Sequence, residues 1–353
     1  MVRSDLMTTV ALDVQGGDLA PDVPISAAAH CTTRPGCPRL VLVGDRERIA
    51  AGLAQAPHDA SLLRLVHAPR FVPMDAEPRA ALDAMPDASV LTAARLVRDG
   101  EADALVSAGN TGGVVLACAR TFKRLPGVSR CALGAVYPTE TRRGDKQDPF
   151  SLILDAGLTL DVSAEDLVGF AIMGAAYAQR ISHNPAPRVA LLSNGTEASK
   201  GLDAIVAAHG RLAKVPGLCF IGNVEGLDIP RGTADVVITG GFVGNIVLKM
   251  LEGVAETVQH LLRYAFDQSL INKAGLALLA PTLRELKKTT DWQQYGGAPI
   301  LGFDRVCIKA HGRSSPRAIK NAIKVACRAV DSGLVGAIAE GMRTVTSTAE
   351  SAL

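Results

Sequence analysis

Ala104-Leu-Val-Ser-Ala-Gly-Asn-Thr-Gly-Gly113 decides the fold class. A four-residue apolar run ends at a turn of Ser, Gly and Asn, and a helical stretch follows. A short apolar run bounded by turn residues is a buried strand feeding a helix. The pattern recurs along the chain. Strands are expected at 8–13, 39–43, 104–107, 151–155, 188–192, 218–221, 234–239 and 305–310, with helical spacing between most of them, as at 89–99 and 163–181. Strand–helix alternation implies an α/β fold, a mostly parallel sheet with helices on both faces.

Several of these strands run into glycine- and asparagine-rich turns: Asp13-Val-Gln-Gly-Gly-Asp18, Ser107–Gly113, Asn194-Gly-Thr-Glu-Ala-Ser-Lys-Gly201, Thr239-Gly-Gly-Phe-Val-Gly-Asn245 and Ala310-His-Gly-Arg-Ser-Ser315. They fall at carboxyl ends of expected strands, where open α/β sheets bind ligands. Two segments break the alternation. Arg142–Pro149 is polar and reads as a surface loop. Residues 246–290 read as a helical excursion with an apolar middle, Gly275–Ala280, followed by the basic Arg284–Lys288. A single two-lobed α/β unit spanning 1–353 accommodates the whole chain.

Composition narrows the class. Apolar residues make up 48% and aromatics 4%, so a large core must be built mainly from Ala, Val, Leu and Ile. The balance of 37 basic and 35 acidic residues, a net +2, speaks against a nucleic-acid partner. Seven cysteines include no CxxC pair, so they read as small buried hydrophobes of a reducing cytosol rather than zinc ligands or disulfides. The first residues lack an apolar run of signal-peptide length, and no stretch reaches about 20 uninterrupted apolar residues. A cytoplasmic protein is expected.

A glycine-rich turn ahead of a helix lets backbone N–H groups and the helix dipole meet an anion. Neither G-x-x-x-x-G-K-[ST], G-x-G-x-x-G nor G-x-S-x-G occurs, so no nucleotide cofactor or nucleophile elbow is signalled. Asp13, Asp18 and Asp22 could hold a metal, but capping of turns and helices is the expectation, and no metal is required. His311 stands at a strand end between Lys309 and Arg313, placed as an acid/base or anion ligand. Lys200 and Lys249 follow two of the turns, each able to bring a cation to phosphate.

The blocks Leu12–Asp18, Ser107–Gly112, Asn194–Gly201, Phe220–Gly232, Ala234–Thr239, Gly241–Lys249, Tyr295–Gly302, Lys309–Gly312 and Ala318–Ile323 follow in order. Over about residues 8–330 they resemble the phosphate acyltransferase family of bacterial phospholipid synthesis. The resemblance implies a fold like that of isocitrate and isopropylmalate dehydrogenases, and a homodimer. It implies transfer of a long acyl chain from acyl carrier protein to inorganic phosphate, and peripheral membrane contact, which the 270–288 segment suits as well as it suits a dimer-interface helix. Four stretches depart from the family pattern. Val14-Gln15 replaces Ala-Met, Thr159 an asparagine and Gly240 an aspartate, and Ala81-Leu-Asp-Ala-Met-Pro86 stands where the family carries a basic cluster near Pro78.

For such a transfer, positioning phosphate against the thioester carbonyl is the main requirement. Backbone N–H groups at 109–112 and 241–245, with Asn110 and Asn245, are candidates to stabilise the oxyanion. Lys200, Lys309 and Arg313 are candidates to hold phosphate, and His311 to protonate the leaving thiolate or orient phosphate. Gly16, Gly17, Asp18, Gly109, Thr111, Gly112, Asn194, Gly195, Thr196, Gly241, Gly244 and Lys249 complete the expected binding set. The departures motivate two alternatives: a relative with another acyl acceptor, and a non-catalytic subunit that binds the carrier. A dehydrogenase of the same fold is disfavoured by the missing dinucleotide fingerprint.

Overall fold

The computed structural model describes residues 7–143, 148–267, 269, 278, 279, 281 and 296–350. Eleven strands form one sheet: β1 (Thr9–Asp13), β2 (Arg39–Gly44), β3 (Leu63–His67), β4 (Ala104–Ser107), β5 (Ala132–Arg143), β6 (Asp148–Leu154), β7 (Val189–Leu192), β8 (Phe220–Val224), β9 (Val236–Ile238), β10 (Ala298–Leu301) and β11 (Val306–Lys309). Their order across the sheet is β3-β2-β1-β4-β11-β10-β5-β6-β9-β7-β8. The described helices are α1 (Asp22–Thr32), α2 (Arg46–Leu53), α3 (Pro78–Ala84), α4 (Ser89–Arg98), α5 (Thr111–Thr121), α6 (Ala164–Ile181), α7 (Asp203–Leu212), α8 (Asp228–Arg231), α9 (Gly241–Asp267), α10 (Pro316–Asp331) and α11 (Leu334–Glu350).

All eight expected strands are present, and the sheet is mostly parallel. Every residue of β4, β7, β9 and β11 is buried. Strands covered on both faces read as unbroken apolar runs, which is why they stood out. α6 is the best-defined helix. Ser163 and Asp166 form a reciprocal capping box at its start, and it is buried almost all round, as a helix wedged between sheet and neighbours must be.

Three strands, β3, β5 and β10, were not expected, and two of them change the topology. β5 and β10 carry Gly134, Pro138 and Pro299, residues that weaken strand patterns. β10 runs antiparallel to β11 and to β5, and β5 antiparallel to β6. Three reversals turn β6, β9, β7 and β8 opposite to β1, β2, β4 and β11. The glycine-rich turns therefore do not share one edge of the sheet. Those after β1, β4 and β11 lie at one edge, and those after β7 and β9 at the other.

The ends of the expected loop at 142–149 are strand, since Arg143 in β5 pairs with Asp148 in β6, while residues 144–147 lie outside the described residues. The helical excursion begins at Gly241 as α9. The Gly275–Ala280 run and the basic Arg284–Lys288 lie outside the described residues, apart from exposed Leu278 and Leu279. No described helix is long and apolar enough to cross a membrane. Along α9, Phe242, Ile246, Met250, Val254, Val258 and Leu261 are exposed at nearly every fourth position, one unpartnered apolar stripe.

Candidate active site

At the first edge, β1, β4 and β11 lie side by side, with Asp13 level with Ser107 and Ser107 level with Lys309. The turns beyond them are tied together. Ser107 Oγ donates to Asp13 Oδ2 at 2.7 Å, and Gly109 N–H donates to Ser107 Oγ at 3.1 Å. Asp18 N–H donates to Gly312 O at 2.9 Å. Gly16 packs against the second turn so closely that a Cβ on it would lie 2.6 Å from Gly109 N. Gly17, at φ +114°, adopts a conformation that side-chain-bearing residues rarely take. These turns need glycine because they touch each other. Asp13 is fully buried, and that burial pushes its carboxyl above the ordinary range against its hydrogen bonds to Ser107 and Gln15.

Lys309 ends β11 with only 6% of its surface exposed. Its Nζ donates to Ala108 O at 3.4 Å and to Ala310 O. Burial lowers the ammonium to about 8, although Asp13 and Asp18 pull the other way. His311, two residues on, sits at the mouth. Partial burial of its ring lowers its titration, and Lys309 and Lys249 lower it further. Its Nδ1 accepts the Arg313 N–H at 3.2 Å, so the neutral ring carries its proton on Nε2. Lys249 arrives from α9 and pairs with Glu252 at 3.0 Å. α9 starts at the far edge and reaches back toward His311, so the two halves of the sheet meet here.

The start of α5 faces this cluster. Asn110 caps it, its Oδ1 accepting Gly113 N–H at 3.0 Å. The Asn110 Nδ2 group donates to Pro73 O, Met74 O and Ala76 O, at 2.9 Å for Met74. Both ends of the Asn110 amide are committed to structure. The N–H groups of Thr111 and Gly112 precede the first intrahelical bond and point out of the helix end. Pro78 leans over Gly112, so the segment lacking the family's basic cluster lies directly above this helix start.

The far edge holds the rest of the expected set. Asp155 follows β6, wholly buried, and its carboxylate accepts N–H bonds from Leu133, Gly157, Leu158 and Thr159. Burial still raises its titration above the ordinary range. Gly241 N–H donates to Thr159 O at 2.8 Å and Gly244 N–H to Gly240 O at 2.9 Å, so these two of the expected 241–245 oxyanion donors are used internally. A Cβ on Gly244 would collide with Asp155 O, and Asn245 lies against Gly157. The Asn194, Gly195, Thr196 and Lys200 turn follows β7, with the Lys200 stem folded over Gly195. Of the elements at this edge, α9 is the one that brings residues, Lys249 and Glu252, to act on His311.

Sequence reading missed Asp155, the hub of the far turns. Its signal was an acid closing an apolar strand, as Asp13 does. Three of the four departures have structural roles. Gln15 Nε2 donates to Pro69 O at 2.8 Å, Val14 is fully buried, and Thr159 Oγ1 donates to Cys131 O at 3.0 Å. At Gly240 a side chain would press on Val162.

Solved structures of two kinds share this architecture. A phosphotransacetylase from Streptococcus pyogenes matches with a TM-score of 0.60 and 17% identity, over 92% of this chain and 94% of that one. A 4-hydroxythreonine-4-phosphate dehydrogenase from Klebsiella pneumoniae matches with a TM-score of 0.55 and 13% identity, over 93% and 100%. The fold is thus one that acyltransferases and dehydrogenases share. Sequence separates them. The model of the fatty acid synthesis protein family matches residues 8–336. A phosphate acyltransferase from Moorella thermoacetica is 41% identical over 331 residues, 94% of this chain and 95% of that protein. The chain belongs to this family of phosphate acyltransferases and is an acyltransferase of lipid biosynthesis.

Proposed function

We propose that the chain moves a fatty acyl group from the thioester of acyl carrier protein to inorganic phosphate, giving an acyl phosphate. The observation that carries this reading is the gathering of Lys309, Lys249 and Arg313 around His311, with Lys309 reaching Ala108 O just ahead of α5. Such a cluster suits a small, multiply charged anion. A phosphate oxygen attacks the thioester carbonyl carbon, the C–O bond forms, the C–S bond breaks, and the thiolate leaves. The N–H groups of Thr111 and Gly112 are aimed to bind the oxyanion or a phosphate oxygen. His311, whose titration is lowered by burial and then by its cationic neighbours, donates from Nε2 and orients phosphate. Lys309, at about 8, is close to an ordinary thiol value of about 8.5 and is matched to protonate the departing thiolate. Asn110 serves by holding the 73–76 loop. Asn194, Gly195, Thr196, Lys200, Gly241, Gly244 and Asn245 stand outside this centre.

Purified protein given a long-chain acyl carrier protein and phosphate should release free carrier thiol and acyl phosphate in step. His311→Ala should lower the rate about 100-fold or more. The Lys309 ammonium is present below about 8 and discharged above it, so the rate should fall as pH rises through that value. Carrier binding without acyl phosphate would overturn the reading. Turnover with another acceptor would favour the diverged alternative, which the cation-poor segment above Gly112 supports.

A homodimer belongs to the same reading, with the stripe of Ile246, Met250 and Val254 on α9 buried against a second copy. Peripheral membrane contact through 270–288 is its other component. Met250→Glu should convert a dimer to monomer by light scattering, and an unchanged mass would exclude this face.

A further inference from the structure

α10 leaves the His311 turn and carries Arg317, Lys320, Lys324 and Arg328. At 100° per residue these four fall within about 80° of arc, a single stripe along the helix. No acidic residue occurs on α10 before Asp331. The opposite face packs Ala318, Ile319, Ala322, Ile323 and Ala326 into the core, so the stripe is held outward. Arg317, Lys324 and Arg328 are exposed, and Lys320 is half-buried. Arg34, exposed just past the end of α1, adds a fifth cation. Among the described residues, Arg34, Lys320, Lys324 and Arg328 have no acid within ion-pair distance. Instead these cations press on each other. Burial lowers the Lys320 ammonium below its ordinary range, and Arg34, Lys324 and Arg317 lower it further. In a chain whose net charge is only +2, such an unbalanced stripe stands apart.

Like charges held together on an ordered helix cost free energy unless a partner answers them. The stripe begins beside the proposed centre: Lys320 is nine residues beyond His311, and about 6 Å of helix rise separates it from Pro316. We infer that this face of α10, with Arg34, is the docking surface for the acidic helices of acyl carrier protein, which lays its thioester arm past Arg313 into the Lys309–His311 centre. The inference rests on the acyl-carrier reading above. Rim charges of this kind act chiefly on encounter and on salt dependence rather than on chemistry.

The test is the doubly reversed variant Lys320→Glu, Lys324→Glu of the full chain. With a long-chain acyl carrier protein its KM should rise about tenfold or more, while kcat and the KM for phosphate stay within about twofold. The same acyl group on free pantetheine should be used equally by variant and wild type. The wild-type KM for carrier should rise with salt, and the variant should lose most of that dependence. Lys324→Glu alone should give a smaller shift of the same sign and guards against misfolding of the double variant. An unchanged carrier KM overturns the inference. So does an equal loss with pantetheine thioester, and so does lost binding to anionic lipid vesicles with carrier KM intact. If wild type makes no acyl phosphate, the reaction reading fails separately. The surface is then read by titrating holo carrier: about tenfold weaker binding by the variant supports it, and equal binding overturns it.

Discussion

Lys309→Met should sharply lower acyl phosphate formation and, at neutral pH, melt at a higher temperature than wild type. The two effects have one cause. β11 carries Lys309 into the sheet with 6% exposure, and its ammonium is lowered from 10.5 to about 8. At about 1.4 kcal/mol per pK unit, holding that charge in the fold costs on the order of 3 kcal/mol at pH 7. Methionine has a similar shape and no charge to desolvate. Its replacement forfeits two hydrogen bonds, to Ala108 O and Ala310 O, worth about 1 kcal/mol each. A net gain of about 1 kcal/mol remains, a few degrees at most in a chain this size. The sign with pH follows from the lowered value. The penalty is complete below about 8, where the folded protein must hold the ammonium, and fades as pH rises from there toward 10.5. The methionine variant should therefore be more stable than wild type by about 1 kcal/mol at pH 7 and less stable by about 2 kcal/mol at and above pH 10.5, where only the two lost hydrogen bonds remain, read by urea denaturation at both values. Activity should drop on the order of 100-fold or more, because a preorganised charge at the reacting centre is lost. A variant that keeps its rate removes Lys309 from the centre. A variant that is less stable at pH 7 shows that the ammonium is well solvated.

That a buried lysine marks the centre was legible in part. β1, β4 and β11 are continuous apolar runs ending at polar turns, and reading outward from those ends selects Asp18, Asn110, Lys309 and His311 together. Position alone justified His311, and its partial burial, with the cations beside it, lowers its titration. What sequence did not reveal was direction. A strand's apolar run is the same whichever way it points, and β10 and β5, the strands that reverse the sheet, are disguised by Pro299, Gly134 and Pro138. Five turns therefore looked like one site when they are two clusters at opposite edges. Asn110 shows the same limit at the scale of one side chain. Asparagine ahead of a helix is as good a cap as it is an oxyanion donor, and only its bonds to Gly113 N and the 73–76 carbonyls decide.

Asp155→Ala should be the most damaging single change to stability among the far-edge residues. The carboxylate gathers four backbone N–H groups, three on Oδ1 from Leu133, Gly157 and Leu158, and on Oδ2 those of Leu158 and Thr159. Truncation leaves four donors in a dry turn with no acceptor. At about 1 kcal/mol or more each, the loss is about 4 kcal/mol, a large share of a typical folding free energy of about 5–15 kcal/mol. Asp155→Asn should cost less. Its amide oxygen can keep the three Oδ1 bonds, while its NH2 group faces the Thr159 N–H, donor against donor. The order wild type, Asn, Ala in urea midpoint is the expected result. The reach extends to catalysis. The Asp155 backbone and carboxylate border Gly241 and Gly244, where α9 begins, and α9 carries Lys249 to the neighbourhood of His311. If the Asn variant folds, its KM for phosphate should rise several-fold with kcat less affected, because a remote cation is displaced while Lys309 and His311 stay in place. An alanine variant within about 1 kcal/mol of wild type would show that water satisfies those donors. An asparagine variant with normal phosphate KM would show that the start of α9 does not set the position of Lys249.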